Sequence, residues 1–250
     1  MKRVIIVGAS SGIGRELALR FAKEGCVVGI AARRIEELQK IREEYGEESI
    51  KIAQLDVCEP TATDALDSLI SEVQRPELLI YASGIGKQNP SLDETIEINT
   101  VKTNCEGMVR IVDHFLNYVK NDSSYTPKSR AHIAVISSIA GTEGMGYAPA
   151  YSATKRMQST YLTALSQHCR MYNIHARFTD IRPGFVATAI LNPDKHYPML
   201  MSLDKAADII MRGIKHRRRI ITFDWRFKLI TLFWRIIPRP LWERLTFIKN

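Results

Sequence analysis

The chain has 250 residues, of which 45% are hydrophobic and 25% are charged, a composition that excludes a disordered chain and is typical of soluble proteins. The net charge of +8 lies at the C-terminal end: residues 211–250 hold eleven lysines and arginines against two acids, or +9, which leaves −1 (8 minus 9) for residues 1–210. The four cysteines show neither CxxC nor metal-type spacing, so neither a disulfide framework nor a metal site is predicted.

The N-terminal sequence MKRVIIVGAS has two positive charges and an apolar run, but the run is too short for a secretory signal peptide. This favours a cytoplasmic protein. No linker, repeat or low-complexity tract divides the chain. We therefore predict one domain over residues 1–250, in which residues 220–250 form a basic, aromatic C-terminal segment.

Short runs rich in β-branched residues alternate with amphipathic stretches along the chain. Strands are predicted at 3–8, 27–33, 49–57, 77–83, 132–138, 175–184 and 218–223. Helices are predicted at 17–22, 34–46, 62–73, 93–120, 151–171 and 203–214. This alternation is typical of βαβ units, so we predict an α/β fold with a doubly wound, Rossmann-type parallel sheet of seven strands.

The first predicted strand runs directly into a glycine loop, GASSGIG, and a helical pattern begins at once. Glycines here permit a tight turn and let backbone N–H groups approach a pyrophosphate, whose charge is stabilised by the helix N-terminus. The spacing is GxxxGxG rather than GxGxxG, and an ordinary β-to-α turn is the alternative. The candidate cofactor contacts in this loop are Gly8, Ser10, Ser11, Gly12, Ile13 and Gly14.

Two arginines, Arg33 and Arg34, end the second predicted strand, where a dinucleotide site meets the adenosine ribose. An acid at this point would bind the 2′-hydroxyl of NAD, whereas arginine suits the 2′-phosphate of NADP. No acid occurs between Gly25 and Arg34. The loop and the arginines together predict NADP(H), and the alternative is that both arginines are solvated residues at the start of a helix.

The sequence YSATK places Tyr151 four residues before Lys155, so both side chains would lie on one face of a helix. A phenol titrates at about 10, and a nearby ammonium or nicotinamide cation favours the phenolate. A pKa lowered by about 2 to 3 would suit general acid–base catalysis. A lone YxxxK is more often a surface pair, but Ser138 ends a predicted strand thirteen residues upstream. Ser137 is the competing serine.

Several motifs follow one another along the chain in this order: GASSGIG, LDV at 55–57, Asn104 in a long predicted helix, SSIAG at 137–141, YSATK, and RPGFVAT at 182–188. In this combination the sequence resembles the short-chain dehydrogenase/reductase family over nearly the whole chain. The resemblance implies that Tyr151 donates a proton to a carbonyl oxygen and that Ser138 hydrogen-bonds the same oxygen. It also implies that Lys155 lowers the tyrosine pKa and binds the nicotinamide ribose, while Asn104 holds a water that links the lysine to solvent.

Further cofactor contacts follow from the resemblance. The implied residues are Asp56 and Val57 at the adenine, Ala82, Ser83 and Gly84 after the fourth strand, and Pro183, Gly184, Val186 and Thr188 beside the nicotinamide. The family usually has threonine where Val7 stands and asparagine where Ala82 stands. Because both polar partners are replaced together, we expect apolar packing at little cost rather than a stranded polar group.

The segments after Gly184 are the variable ones. The loop at 185–202 is short and apolar, and its methionines either line a hydrophobic substrate site or pack in the core. His196 and Tyr197 could reach the substrate, but we expect them to be exposed. We expect Ser202 to cap the next helix. The tail holds all three tryptophans among arginines and lysines. It could contact a membrane surface peripherally or pack against the sheet or a second subunit, whereas nucleic acid binding is not predicted.

The sequence thus predicts an NADP(H)-dependent oxidoreductase that interconverts a carbonyl and an alcohol on a small, hydrophobic substrate. The family resemblance implies a homodimer or homotetramer that packs through the long helices at 93–120 and 151–171. The alternative is a sensor or scaffold that binds NADP(H) without turnover. A methyltransferase would share the glycine loop but does not need the YxxxK pair.

Overall fold

The computed structural model of the protein describes residues 2–191 and 196–246, and its seven strands form one parallel sheet. The predicted fold class is confirmed. The strands are Arg3–Val7 (β1), Val27–Ala32 (β2), Ile50–Gln54 (β3), Leu78–Tyr81 (β4), Ala131–Ile136 (β5), Ala176–Arg182 (β6) and Ile220–Thr222 (β7). Their order across the sheet is β3-β2-β1-β4-β5-β6-β7.

Helices connect the strands on both faces of the sheet. They are Gly12–Lys23 (α1), Ile35–Tyr45 (α2), Ala62–Val73 (α3), Glu94–Val101 (α4), Gly107–Asn121 (α5), Pro149–Met171 (α6), Leu203–Lys215 (α7), Trp225–Trp234 (α8) and Arg239–Trp242 (α9). The long helix predicted at 93–120 is interrupted by a π turn, Lys102–Glu106, between α4 and α5. Ser202 caps α7 as its position predicts, accepting a hydrogen bond from the Lys205 N–H at 3.4 Å.

The strand order reverses at the centre of the sheet, because β1 pairs with β2 on one side and with β4 on the other. Chain connections leave this point in opposite directions, which opens a crevice at the carboxyl ends of the two strands. The glycine loop follows β1 and the Ala82–Gly84 triplet follows β4. The topology therefore brings both segments to one crevice.

The core has two layers, one on each face of the sheet. Along β1, Val4 and Ile6 pack in the layer that contains α1, α2 and α7, whereas Ile5 and Val7 pack in the layer that contains α3, α5 and α6. Each buried aliphatic side chain contributes about 1.5–3 kcal/mol. Val7 is fully buried, and the Ala82 N–H donates to its carbonyl oxygen at 2.8 Å. The backbone thus joins the two strands where the family uses a polar side-chain contact.

His132 on β5 is a buried titratable group. Its Nε2 lies 2.8 Å from Thr179 Oγ1, and that hydroxyl donates its proton to the Arg218 carbonyl oxygen at 2.6 Å. The hydroxyl must therefore accept from Nε2–H, which settles the tautomer of the imidazole. Burial lowers the pKa of His132 to about 4, and the charges of Arg177 and Arg217 add to the effect.

We expect acid to destabilise the fold through His132. The pKa of His132 in the folded protein is about 4, below the ordinary value of 6.5. The neutral imidazole therefore stabilises the fold fully above the ordinary pKa, and this stabilisation is lost as the pH falls through the pKa of the folded protein. Between about pH 7 and about pH 5, the free energy of unfolding of His132→Gln should fall by about 2 kcal/mol less than that of the wild type. Urea titrations at both pH values measure this loss. His216→Gln, at an exposed position, should match the wild type, and an unchanged pH dependence in His132→Gln would contradict the assignment.

Candidate active site

A cleft of about 1150 Å³ opens at the carboxyl edge of the sheet. Every residue predicted to contact the cofactor lines it, and so does Ser138. Asn104 is the predicted site residue that lies behind the wall, where it is fully buried. The motifs that are spread from residue 8 to residue 188 thus meet in one place, as the order of the strands requires.

The glycine loop is packed too closely for side chains at two positions. A Cβ at Gly8 would lie 2.5 Å from the Ser83 N and 2.7 Å from the Ala82 carbonyl carbon, and the φ of Gly8 is +94°. A Cβ at Gly14 would clash with the Gly8 carbonyl oxygen. Glycine at these two positions therefore lets the loop pack closely against the segment after β4 and against the start of α1. Ser10, Ser11 and Gly12 of the same loop line the cleft, where a helix N-terminus can bind a pyrophosphate.

The two arginines lie at the end of the cleft that is formed by β2 and β3. Arg34 donates from Nη2 to Ser10 Oγ at 3.0 Å, which ties it to the glycine loop. The Nη1 of Arg33 lies 3.9 Å from Asp56 Oδ2, and the Gln54 amide donates to the Arg33 carbonyl oxygen at 3.1 Å. Arg34 is thus tied to the glycine loop, whereas the Arg33 side chain is 69% exposed and lies beside Asp56.

Helix α6 carries Tyr151 and Lys155, and its N-terminus is held by a carboxylate from α4. Glu97 accepts a hydrogen bond from the Ala150 N–H at 2.7 Å and another from the Asn89 amide at 2.8 Å. A negative charge at this position satisfies a free helix N–H and the helix dipole. The first turn of α6 is therefore anchored close to the catalytic candidates.

The structure distinguishes the two candidate serines. Ser137 is buried and its hydroxyl donates to Asp180 and to the Ile181 carbonyl oxygen, so it serves the packing of β5 on β6. Both serines contribute to the cleft wall, but the Ser138 hydroxyl is not tied to β6, and its oxygen accepts from the Ala140 N–H at 3.1 Å. A side-chain hydrogen bond also joins Ser138 to Tyr151, so the serine hydroxyl lies next to the phenol.

Gly141 brings Ser138 against α6. A Cβ at Gly141 would lie 2.6 Å from the Lys155 carbonyl carbon and 2.7 Å from the Arg156 N. Only a glycine lets the 3₁₀ turn Ile139–Gly141 approach the helix backbone so closely. The glycine of the SSIAG motif thus sets the separation between the serine and the tyrosine.

The Tyr151 ring packs directly on a backbone segment after β4. A Cβ at Gly86 would lie 2.5 Å from Tyr151 Cδ2 and 2.6 Å from Cε2. Burial raises the pKa of Tyr151, while a side-chain hydrogen bond with Ser138 acts in the opposite direction. In the protein alone the effect of burial on the Tyr151 pKa is the larger one. The lowered pKa expected from the sequence depends in part on a bound nicotinamide, so it stays a prediction for the cofactor complex.

Lys155 is buried beneath this tyrosine, with its Nζ 5.7 Å from the centre of the Tyr151 ring. It donates to the Ile136 carbonyl oxygen at 2.9 Å and to Gln158 Oε1 at 3.1 Å. Burial lowers the pKa of Lys155 to about 8. The ammonium form therefore still predominates at about pH 7, held in place by two neutral acceptors.

Gln158 links Lys155 to the π turn. It is fully buried, and its Nε2 donates to the Asn104 carbonyl oxygen at 2.8 Å. The side-chain amide of Asn104 is also engaged, since it binds the N–H and the carbonyl oxygen of Ile85 at 2.9 and 2.8 Å and donates to Thr154 at 3.0 Å. In this structure the connection between lysine and asparagine runs through a glutamine side chain.

Comparisons with known proteins identify the family of the chain. The family described as short chain dehydrogenase matches residues 2–197. This chain belongs to the short-chain dehydrogenase family. It is 29% identical over 249 residues to an uncharacterized oxidoreductase of Myxococcus xanthus, a match that covers 97% of this chain and 95% of that protein. The chain is accordingly an oxidoreductase.

Solved structures share the fold at lower sequence identity. The 3-ketoacyl-(acyl-carrier-protein) reductase of Brucella melitensis, complexed with NADH, is similar with a TM-score of 0.76 and 19% identity, over 89% of this chain and 96% of that one. ElxO with NADP bound has a TM-score of 0.76 and 21% identity, over 90% of this chain and 98% of that one. These similarities are likenesses of fold.

The remaining wall of the cleft in this short-chain dehydrogenase is apolar. The substrate loop contributes Phe185, Tyr197 and Met199, and the rings of Phe185 and Tyr197 stack with centroids 5.1 Å apart. His196 is exposed as expected. The exposure predicted for Tyr197 is wrong, because this stacking buries its ring. Met201 packs against the core instead, and residues 192–195 lie outside the described residues.

Helix α8 supplies the rest of this wall through Phe227, Ile230 and Trp234. A Cβ at Gly184 would clash with the Phe227 ring, so the glycine of the RPG sequence also seats this helix. Phe227 is buried as the packing alternative for the tail requires. Trp225 and Phe233 are exposed, so they do not cover the sheet of this chain, and their packing against a second subunit stays a prediction.

Several contributors to the site of this dehydrogenase were missed in the sequence. Gln158 could have been found, because it lies three residues after Lys155 and therefore on the same helix face. Gly86 and Glu97 carry no such signal, since their roles depend on contacts with residues 65 and 53 positions away along the chain.

Proposed function

We propose that the protein is an NADP(H)-dependent oxidoreductase that interconverts a carbonyl and an alcohol on a small, hydrophobic substrate. The proposal rests on one observation: Ser138, Tyr151 and Lys155 line the same cleft as the glycine loop. The cofactor supplies hydride when bound. The glycine loop at the N-terminus of α1 fits the pyrophosphate of the cofactor, and the two arginines fit its adenosine end.

The residues of the chain would handle the proton. A raised pKa keeps the Tyr151 hydroxyl protonated at about pH 7, which suits donation to a carbonyl oxygen that gains charge. The Ser138 hydroxyl, which hydrogen-bonds Tyr151 in the protein alone, would donate to the same carbonyl oxygen and stabilise its charge. Lys155 would bind the nicotinamide ribose and favour the phenolate after proton transfer. Asn104 would keep Gln158 and Thr154 in position through its hydrogen bonds with both residues.

Preference for NADP(H) rests on Arg33 and Arg34, and substitution can test it. Arg33→Asp should lower the ratio of kcat/KM for NADPH to kcat/KM for NADH by about 10- to 100-fold, because a charge-assisted hydrogen bond to the 2′-phosphate is lost and an acid takes its place. Steady-state rates with each cofactor measure the ratio. Arg42→Asp, at a position on α2 outside the cleft lining, is the matched control. An unchanged ratio in Arg33→Asp would remove the assignment.

The substrate and assembly proposals rest on apolar side chains in the cleft wall and on the surface of α4. The apolar wall formed by the substrate loop and α8 favours a hydrophobic carbonyl compound. Ile98 and Val101 on α4 are 46% and 43% exposed, which supports a homodimer or homotetramer that packs through the long helices. A cytoplasmic location remains our proposal. Within residues 2–191 and 196–246, each helix is too short or too polar to cross a bilayer.

The decisive experiment follows NADPH absorbance with a panel of aldehydes, diketones and quinones, for the wild type and Tyr151→Phe. The proposal expects turnover of at least one compound by the wild type and its near loss in the variant. Equal slow rates in both proteins would overturn catalysis and favour the sensor or scaffold alternative, since cofactor binding would then persist without a proton donor.

A further inference from the structure

Helix α8 has two apolar faces. Phe227, Ile230 and Trp234 follow one another at helical spacing and line the cleft. With about 100° of rotation per residue, Trp225, Leu229, Leu232 and Phe233 lie on the opposite side. These four side chains are 71%, 55%, 61% and 62% exposed. A helix that is apolar on both sides requires a second apolar environment beyond its own chain. We call these four residues the outer face of α8.

Cationic side chains border the outer face. On the same rotation Lys228 and Arg235 lie along one side of it and Arg226 along the other. All three are exposed, and Arg226 pairs with Asp224 at 2.7 Å. Two more arginines, Arg239 and Arg244, follow in the exposed turns of the tail. Over residues 224–246 five cations stand against the carboxylates of Asp224 and Glu243, a net charge of +3 (5 minus 2).

This charge pattern selects the partner. In a symmetric dimer the same patch faces itself, so two copies would bring like charges together around the apolar stripe. An anionic lipid surface complements it, because headgroup phosphates pair with the cations while tryptophan, leucine and phenylalanine enter the acyl boundary.

Contacts of Trp242 hold the tail against the loop before α6 at the cleft. Helix α8 therefore has one side in the cleft wall and the other side at its outer face. Trp242 donates from Nε1 to the Gly144 carbonyl oxygen at 2.8 Å, and its ring lies 5.5 Å from the ring of Trp234. Gly144 belongs to the loop before α6, next to Met145, which lines the cleft. A surface bound to α8 would therefore lie beside the substrate end of the cleft.

We propose that the outer face of α8 binds the interface of an anionic phospholipid bilayer, and that the substrate is a long-chain carbonyl or alcohol that enters the cleft from that interface. The second half rests on the proposed function, whereas the first does not. Lipid binding and turnover can therefore fail separately.

Flotation with vesicles of phosphatidylglycerol and phosphatidylcholine in equal parts tests the binding. The full-length wild type should float with these vesicles at low salt, and less with vesicles of phosphatidylcholine alone or at high salt. Leu229→Glu/Leu232→Glu should weaken binding by at least about tenfold, since two apolar side chains that enter the acyl boundary become charged. Met171→Glu is the matched control, because Met171 on α6 is 66% exposed and lies outside the tail.

The contrary results are distinct. Failure of the wild type to float at low salt, or equal flotation of the double variant, would overturn the proposal. So would a vesicle-free dimer that the double variant converts to monomers, because the outer face would then be a subunit interface. Neither Leu229 nor Leu232 lines the cleft, so the double variant should keep turnover of a short, water-soluble carbonyl. Vesicles should stimulate turnover of a long-chain aldehyde in the wild type alone, and equal stimulation of the double variant would overturn interfacial entry. Absence of any turnover with intact flotation would instead remove the proposed function.

Discussion

Replacing Tyr151 with phenylalanine is expected to lower kcat by about a thousandfold, within the range that a general acid contributes. Only the hydroxyl is lost, so the ring keeps its place against Gly86, where a Cβ would lie 2.5 Å away. The protein should therefore fold normally and bind NADPH with an affinity within about threefold of the wild type. Stopped-flow measurement of hydride transfer and a fluorescence titration with NADPH separate the two effects.

Tyr197→Phe is the matched control for this substitution. Tyr197 also lines the cleft, and its ring stacks on Phe185 rather than on the Lys155 and Ser138 pair. Its phenylalanine variant should retain kcat within about fivefold. A similar loss in both variants would show that any hydroxyl of the cleft is needed, and the assignment of Tyr151 as proton donor would then fall.

We expect kcat to fall at high pH as Lys155 loses its proton, and we call this part of the pH profile the alkaline limb. Replacing Gln158 with leucine should move the alkaline limb to lower pH. The Lys155 ammonium would lose the Gln158 acceptor at 3.1 Å, so its pKa should fall below about 8. A hydrogen bond to a charged group contributes about 1.5–3 kcal/mol, which corresponds to a shift of about one to two pH units. Turnover measured between about pH 6 and about pH 10 locates the limb.

Gln158→Glu should move the same limb in the opposite direction, because a carboxylate beside Lys155 stabilises the ammonium form. Leu162→Ala is the control for packing, since Leu162 lies one turn further along α6 and is also buried. It should lower the free energy of unfolding by about 2–5 kcal/mol without moving the limb. If both Gln158 variants shift the limb in one direction, Gln158 acts through packing and not as a positioning residue for Lys155.

Much of the site could be predicted because its motifs are local. The glycine loop, the two arginines and the YxxxK pair each occupy a few consecutive residues, and their chemistry follows from backbone freedom and helical spacing. The direction of the Tyr151 pKa could not be predicted in this way. It depends on how completely the ring is removed from water, and that burial is produced by segments far apart in the chain.

The choice between Ser137 and Ser138 shows the same division. The spacing from Tyr151 favours Ser138 in the sequence, but spacing alone does not decide which of the two hydroxyls is engaged elsewhere. Packing of β5 on β6 settles it by burying Ser137 against Asp180. The tail is a further case, since its composition predicts an apolar, basic segment but not that Phe227 would close the cleft against Gly184.

By itself the sequence determined the βαβ order, the parallel sheet, the location of the cofactor loop and the helix that carries Tyr151 and Lys155. These follow from periodicity and spacing, which report interactions inside one element or between neighbours. Only the tertiary structure decided that Gln158 joins Lys155 to Asn104, that Glu97 anchors α6, and that α8 has one face in the cleft and one exposed. Each of these depends on contacts between distant residues, whose energies come from burial and close approach that local pattern does not encode.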